Sequence, residues 1–425
     1  MPIQDHELRY ALSNELHARP FPVLTAPSRA VYLAVKKTAD AAARDRGEDL
    51  AHLLTLLDRY GATHPKPGAT HHSCRIGRHE LKWEQHTEFV TYTVFLEGGG
   101  ERPFDPADWE VFPDDWLSAA PGVRVTSAMI RVCERYDTSR IQDMVNEWFV
   151  PESVAASFVL DETAIIAGDF RIDEAGHLRF AIFTEPGVRP RRVGRVVQRL
   201  CEIETYKTIA MLGFSRVREM GPQMGALDRR LTDLMGSMTG AVAQPAETLE
   251  QLLAISSELE NMSAQASFRF GATGAYEALV QQRTQVLRET RFEGRQTFGE
   301  FMMRRFDPAM RTVKSAERRL GAMADRAMRA SELLRTRVDV ERSAQNQDLL
   351  ASMDRRADLQ LRLQKTVEGL SVVAISYYAV SLAGYLLYPV AEVVGMSKGM
   401  LTALATIPVV LGVWWMIHRI REKME

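Results

Sequence analysis

Residues 370–390 read LSVVAISYYAVSLAGYLLYPV, a run of 21 residues that contains no charged side chain. A second charge-free run of 18 residues, MLTALATIPVVLGVWWMI, occupies positions 400–417. A bilayer core of about 30 Å is crossed by a helix of ~20 apolar residues, within a range of ~17–25. Both runs therefore predict membrane-spanning helices, and Trp414 and Trp415 stand where interfacial aromatic residues are expected. The alternative, a buried helical hairpin in a soluble domain, is less favoured for two such runs in succession.

The sequences flanking these runs predict a topology. QLRLQKTVEG (360–369) precedes the first run and HRIREKME (418–425) follows the second, whereas the intervening AEVVGMSKG (391–399) holds one Glu and one Lys. Because basic flanks remain on the cytoplasmic side, we expect residues 1–368 and both termini in the cytoplasm. The opening MPIQDHELRY has acidic residues and no apolar core, so we expect no signal peptide. The sequence thus predicts a multi-pass protein of a cell inner membrane.

The first apolar run has two different faces when it is drawn as a helix. A hydroxyl face spans about 120° at 100° per residue. It contains Ser371, Tyr377, Tyr378, Ser381, Tyr385 and Tyr388. An opposite small face contains Gly369, Ser376, Ala379 and Ala383. Hydroxyl groups in hydrocarbon need partners, so the hydroxyl face either lines a water-filled pore formed by several copies or packs on protein.

Composition indicates an ordinary folded chain with an uneven charge distribution. Of 425 residues, 46% are hydrophobic and 25% are charged, and the net charge is −2. Residues 1–188 hold 19 Lys+Arg and 29 Asp+Glu, a net of −10, while residues 189–425 hold 34 and 26, a net of +8. The two halves are expected to face different partners. Three cysteines without a CxxC pair favour a reducing compartment.

The acidic region 1–188 predicts a mixed α/β or α+β domain. Alternating and β-branched patterns predict six strands, and the last three are expected to form a meander. Helical patterns cover 47–60 and 138–149. The predicted strands are 30–37, 88–96, 123–133, 154–160, 163–172 and 177–184.

Region 189–368 predicts long helices without strands. Pro190 and Pro245 suit first helical turns, Gly221-Pro222 suggests a kink, GATG (271–274) suggests a turn, and Asp307-Pro308 suggests a break. Downstream, an apolar seam at helical spacing predicts a coiled-coil-like stalk that enters the first apolar run. The two membrane helices and their loop are expected at 369–418, and a basic tail follows at 419–425. The seam contains Leu334, Val338, Leu349, Met353, Leu363, Val367 and Leu370.

Chemistry-bearing motifs are scarce, and we expect no enzyme. GxGxxG, GxxxxGK[ST], GxSxG and HExxH are all absent. The basic run RPRRVGRVVQR (189–199) has no interleaved aromatic residue, so we expect no nucleic-acid partner. Five histidines cluster at 64–86, and His71, His72 and Cys74 form a weak candidate for a metal site; a polar strand surface is the alternative.

The segment NELHARP (14–20) is the other candidate. Its charged and polar side chains lie before two prolines that impose an extended chain, so the segment either caps the sheet as an N-terminal arm or presents acid–base groups. Its residues are Asn14, Glu15, His17, Arg19 and Pro20. NELHARPFP together with the terminal hairpin resembles an uncharacterised bacterial family of membrane-anchored proteins. That resemblance covers nearly the whole chain and implies a membrane anchor but no catalytic residue.

A second resemblance is architectural. An acidic cytoplasmic domain, a stalk helix that runs into the first of two terminal membrane helices, and a basic tail resemble CorA-type divalent-cation channels. In that superfamily a Gly-Met-Asn signature closes the first membrane helix; here Gly395 and Met396 match, and Ser397 replaces Asn. The resemblance implies a homo-oligomer, a pentamer, that conducts Mg²⁺, Co²⁺, Ni²⁺ or Zn²⁺, with Ser371, Tyr378, Ser381 and Tyr385 as pore-lining candidates. A non-conducting membrane-anchored sensor or scaffold, whose cytoplasmic domain binds a partner, is the alternative.

Overall fold

The computed structural model describes residues 3–15, 21–38, 43–134, 137–238, 245–394 and 397–424. The chain divides into two compact units. The first unit comprises Met1–Val242 and Glu250–Ala330, and it contains the sheet and the helices packed on it. The second comprises Ala243–Leu249 and Ser331–Glu425, which includes the apolar hairpin. Each unit is described separately.

The first unit is built around one mixed sheet of nine strands in the order β2-β3-β4-β1-β5-β8-β7-β6-β9. Neighbouring strands are antiparallel except for β5 and β8, which are parallel. The strands are β1 Ser28–Lys36, β2 His71–Ile76, β3 His79–Gln85, β4 Phe89–Glu97, β5 Val123–Glu134, β6 Ala155–Val159, β7 Ala164–Gly168, β8 Leu178–Thr184 and β9 Thr290–Arg291.

Helices form both in the loops of the sheet and after it. A 3₁₀-helix spans Pro106–Val111. Asp45 and Asp137 cap α2 and α4 by accepting backbone N–H bonds, as short acidic side chains do at helix starts. The α-helices are α1 Arg9–Glu15, α2 Arg46–Arg59, α3 Asp114–Ser118, α4 Thr138–Trp148, α5 Pro190–Met238, α6 Pro245–Leu287, α7 Phe298–Val394 and α8 Lys398–Met424.

Helices cover the sheet on both faces. On one face, α2, α3 and the 3₁₀-helix pack on β1, β3 and β4, and α4 packs further along on β5, β7 and β8. On the other face, α5, α6 and the first turns of α7 form the largest core with β1, β5, β7 and β8. Alternating side chains supply both cores, since successive strand residues point to opposite faces.

The chain segment before β1 is held against α5. Leu24 is buried in the core, and its N–H donates to Pro190 O at 3.2 Å. The Arg195 guanidinium lies over the Phe21 ring at 4.7 Å. Gly194 allows this approach, because a methyl group at its Cα would lie 1.9 Å from Pro22 O.

The strand predictions are confirmed in kind but are incomplete. All six predicted strands exist, and β6, β7 and β8 form the predicted antiparallel meander. The hairpin of β2 and β3 was missed. Its sequence, HHSCRIGRHELKWEQ (71–85), is rich in charge and lacks a clean apolar alternation, since β2 lies at the edge of the sheet.

In the helical region three expectations are wrong. GATG lies inside α6, where the helix continues through both glycines, and α7 passes through Asp307-Pro308 without a break. The region also contributes a strand, the two-residue β9, which pairs with β6. Helix starts at Pro190 and Pro245 are confirmed. Proline suits a first turn because the N–H that it lacks would have no partner within the helix.

Candidate functional site

The apolar hairpin is the candidate functional site, and both predicted helices are present. Among the described residues, two helices are long and apolar enough to cross a membrane, one of them within α7 and the other Lys398–Ile420. The first runs four residues beyond the predicted end, to Val394, and α8 starts at Lys398. Six of the nine residues expected to form the loop, 391–394 and 398–399, therefore belong to the two helices.

One residue of the small face, Ser376, is buried, and Gly384, which lies outside the small face, approaches α8. Ser376 is only 7% exposed, although it belongs to a helix whose apolar window is largely uncovered. A methyl group placed on Gly384 would lie 3.7 Å from Thr402 Oγ1, which is ordinary van der Waals contact. Small residues let two helix backbones approach closely, as they commonly do between membrane helices.

The hydroxyl face of the same helix is mostly uncovered. Tyr378 is 68% exposed and Tyr385 is 82% exposed, and Ser371 is exposed as well. Ser381 is half-buried, because it lies nearer to α8. The four pore-lining candidates thus form a face that α8 leaves largely open.

A groove of about 460 Å³ separates the two helices near their connection. It brings together two of the pore-lining candidates, Ser381 and Tyr385, with Thr402 and Lys398 of α8. Ser371 and Tyr378 do not line it. Hydroxyl groups and one ammonium group make this groove polar at one end of an otherwise apolar hairpin.

The Gly-Met-Ser signature is described only at its last residue. Gly395 and Met396 lie outside the described residues. Ser397 O accepts N–H bonds from Met400 at 3.0 Å and from Leu401 at 3.2 Å, so Ser397 begins the first turn of α8. Its backbone is therefore used to start a helix rather than to form a free loop.

The N-terminal motif is described in part. Asn14 and Glu15 are the last two residues of α1, whereas His17, Arg19 and Pro20 lie outside the described residues. The segment that follows the motif, starting at Phe21, packs on α5 as described above.

The candidate metal ligands His71, His72 and Cys74 are not all brought to one face of the sheet. All three lie on β2, where alternation puts His71 on the face opposite to His72 and Cys74. His72 Nε2 lies 2.7 Å from Thr63 O, and burial with nearby Glu80 raises the pKa of Cys74 to about 11. Among the described residues no group of three or more His, Cys, Asp or Glu side chains could hold a metal ion.

A half-buried carboxylate that caps the start of α7, Glu289, was not found from the sequence. Glu289 accepts N–H bonds from Phe298 and Gly299, both at 2.8 Å, and an O–H bond from Ser157 at 2.6 Å. Burial raises the pKa of Glu289, and its three donors act in the opposite direction. The side chain therefore ties the first turn of the helix that leads to the hairpin to strand β6.

A second capping contact completes this helix start. Thr297 Oγ1 accepts the Glu300 N–H at 3.1 Å, and Glu300 accepts the Thr297 N–H at 3.0 Å. This reciprocal pair is a capping box, and the sequence signal for it is Thr-x-x-Glu at 297–300. It could have predicted where α7 begins.

The comparison with protein families decides where the chain belongs. A family model described as "Protein of unknown function (DUF3422)" matches residues 4–424. The chain belongs to the DUF3422 family. Its match spans the sheet, the long helices and the hairpin together. The comparison with curated proteins finds no match.

Two core histidines of this DUF3422 member were also missed. His52 donates from Nε2 to Trp116 O at 2.9 Å, and its Nδ1 lies 3.0 Å from the Tyr92 hydroxyl, which donates to it. His177 stacks on Trp109 with ring centroids 4.0 Å apart, and its Nδ1 lies 2.9 Å from Ser127 Oγ. Both rings are packed and bonded as neutral groups within the core of the sheet domain.

His177 should make the stability of the DUF3422 chain depend on pH. Burial, with Arg124 nearby, lowers the pKa of His177 to about 4, while Asp173 opposes this change. The unfolded chain therefore binds the proton first, and the stability due to neutral His177 is complete above about 6.5 and lost as the pH falls toward 4.

Lowering the pH from 7.5 to 5.0 should decrease the free energy of unfolding of the unsubstituted chain. We expect this decrease to be smaller by ~2 kcal/mol in the His177→Gln variant, which has no imidazole to protonate. Urea unfolding followed by tryptophan fluorescence at the two pH values measures this difference. Equal losses in the two proteins would show that His177 does not titrate with a lowered pKa.

Proposed function

We propose that this chain is an integral inner-membrane protein that assembles into a CorA-like homo-oligomer and conducts divalent cations. Residues 1–368 and the C-terminal tail would lie in the cytoplasm, following the basic flanks of the hairpin. The observation that carries the proposal is the uneven cover of the first apolar helix: Ser376 is buried and Gly384 lies close to Thr402 of α8, whereas Tyr378 and Tyr385 are exposed.

The open hydroxyl face supports a central axis. In a ring of hairpins, one helix of each hairpin lines the central water-filled pore. The first apolar helix suits that place, because its polar face is not covered by α8. Tyr378 and Tyr385 would then offer hydroxyl groups to hydrated ions, and α8 would lie on the lipid side. Hydroxyl groups facing hydrocarbon would instead remain unsatisfied, which costs free energy.

The stalk seam supports association of several copies. Leu349, Met353, Leu363 and Val367 are each more than half exposed, although they follow helical spacing. Copies that enter one membrane with the same topology have parallel stalks, so these side chains could bury one another in register. Leu334 and Val338, at the start of the seam, are already buried.

The acidic region supplies the charge for cation binding. Residues 1–188 carry a net charge of −10. Carboxylates brought together between subunits repel until a cation neutralises them, which would couple ion binding to assembly geometry.

A non-conducting membrane-anchored sensor or scaffold is the second candidate. Two observations favour it: no acidic residue occurs among 369–391, and the described residues contain no three-ligand metal cluster. In that case the sheet domain would bind a cytoplasmic partner.

The deciding experiment is the mass of the full chain in mild detergent, by native mass spectrometry. We expect a pentamer, and a Met353→Glu variant should shift the mass toward smaller species because it places a carboxylate in the seam. Ala351→Glu, about 160° around the same helix, is the matched control and should leave the mass unchanged. A monomer or dimer would leave no central pore.

Conduction itself requires a flux assay on the pentamer in liposomes. We expect passage of at least one of Mg²⁺, Co²⁺, Ni²⁺ and Zn²⁺ down its gradient. A pentamer that passes none of them under any gradient would reject conduction and favour the scaffold.

A further inference from the structure

A groove of about 550 Å³ lies where β9 turns into α7, beside the loop that follows α4. We call it the arginine groove. Its charged lining residues are Arg291, Arg295 and Arg304, with Glu152 and Glu300. Its size falls within the ~300–1,000 Å³ that is typical of small-molecule sites.

The turn at residues 292–295 places Arg295, and Arg291 just before it, in the lining of the groove. The Arg295 N–H donates to Phe292 O at 2.9 Å, and Glu293 and Gly294 between them have φ values of 48° and 72°. Two positive φ angles in succession make a tight turn, for which glycine is suited. Phe292 is fully buried and anchors the turn to the core.

One arginine and one glutamate of the groove neutralise each other. Arg291 Nε donates to Glu300 Oε1 at 3.0 Å, and this contact is the main reason that the pKa of Glu300 is lowered. Glu300 Oε2 accepts the Thr297 N–H in the capping box. Glu300 is therefore already engaged.

The other two arginines have neutral partners. Arg295 donates to Asn146 Oδ1, and Arg304 Nη1 donates to Gln296 Oε1 at 3.5 Å. Across the described ranges, no carboxylate oxygen lies within ion-pair distance of either guanidinium group, and Glu152 in the lining is exposed. Glu300 still attracts Arg304, and the lining as a whole carries three guanidinium groups against two carboxylates, a net charge of +1.

We propose that the arginine groove binds the phosphate group of a small molecule. Guanidinium groups match phosphate oxygens with paired N–H donors, and such charge-assisted hydrogen bonds are short and strong. The bonds to Asn146 and Gln296 engage one N–H donor of Arg295 and one of Arg304. The groove is larger than a phosphate ion, and the exposed Met303 gives it an apolar wall for an organic part.

The first turn of α7 does not take part in this site. Its N–H groups are occupied by Glu289 and by the capping box, so the anion would be bound by side chains alone. Replacing those side chains should therefore remove binding without unfolding the helix start.

Isothermal titration calorimetry on the full chain in detergent tests the proposal, with inorganic phosphate and AMP as probes at constant ionic strength in chloride. We expect saturable binding that weakens by roughly tenfold or more in Arg295→Gln and in Arg304→Gln, because each loses charge-assisted bonds. Arg311→Gln, an exposed arginine of α7 outside the groove, is the matched control and should bind like the unsubstituted chain.

The two probes distinguish the source of the phosphate group. Tighter binding of AMP assigns the site to a phosphate ester, and equal binding assigns it to free phosphate; both support the proposal. Absence of saturable binding, or equal affinity in Arg295→Gln, Arg304→Gln and Arg311→Gln, would overturn it. Circular dichroism confirms that each variant is folded.

Discussion

Gly194→Ala is expected to lower the free energy of unfolding of the sheet domain by ~3 kcal/mol. The added methyl group would lie 1.9 Å from Pro22 O and 2.7 Å from its carbonyl carbon, which are backbone atoms. Either α5 and the segment before β1 move apart under strain, or the segment detaches from α5 and exposes Leu24. Burial of a leucine contributes ~1.5–3 kcal/mol, so detachment limits the loss to a similar value.

Gly225→Ala in the same helix is the matched control. Apart from the helix's own nearby backbone and the two neighbouring residues, no atom lies within 4 Å of the added methyl group at this position, and alanine favours a helix over glycine. The control should therefore gain ~0.5–1 kcal/mol. Urea unfolding compares the three proteins.

Hydrogen exchange of the Leu24 amide separates the two ways in which Gly194→Ala could act. This N–H donates to Pro190 O, so it exchanges faster if the segment detaches. Unchanged stability in Gly194→Ala would mean that the segment does not pack on α5 in this way.

Glu289→Gln is expected to lower the free energy of unfolding by ~2–4 kcal/mol. The amide keeps one acceptor oxygen and replaces the other with an NH₂ group, which would face a backbone N–H of Phe298 or Gly299. That donor is then buried without a partner, at a cost of ~1–3 kcal/mol. The favourable interaction of the carboxylate with the helix N-terminus is also lost.

Thermal and urea unfolding of the full chain measure this effect, with Glu317→Gln, on an exposed position of α7, as the control. Only Glu289→Gln should change stability. Hydrogen exchange at Phe298 and Gly299 should also become faster in Glu289→Gln. If the two variants are equally stable, Glu289 does not hold the start of α7.

Local sequence patterns were sufficient for the parts of the chain whose signal lies within one element. The two apolar runs predicted both hairpin helices, and the division into hydroxyl and small faces followed from the 100° helical period. Strands β1 and β4–β8 followed from alternation and β-branched content. Pro190 and Pro245 marked helix starts because proline's fixed φ suits the first helical turn, where its missing N–H is not needed.

Where local signals competed with long-range packing, they failed. The glycines of GATG suggested a turn, yet α6 continues through them, with Phe270 and Thr273 buried on one side. Asp307-Pro308 suggested a break, yet Phe306 and Met310 on either side are buried in the core, and this packing outweighs the bond that proline cannot make. Burial thus decided both cases.

The apolar hairpin, the strand pattern and the long helices are properties of consecutive residues, and periodicity records them. The contacts that form the Glu289 cap and the arginine groove join residues far apart in the sequence. Ser157 and Glu289 are 132 residues apart, and the arginine groove joins a loop near residue 150 to the start of α7. Periodicity records which face of an element is buried, but not which distant element covers it, so the cap, the groove and the contact at Gly194 emerged only when the sheet had brought these segments together.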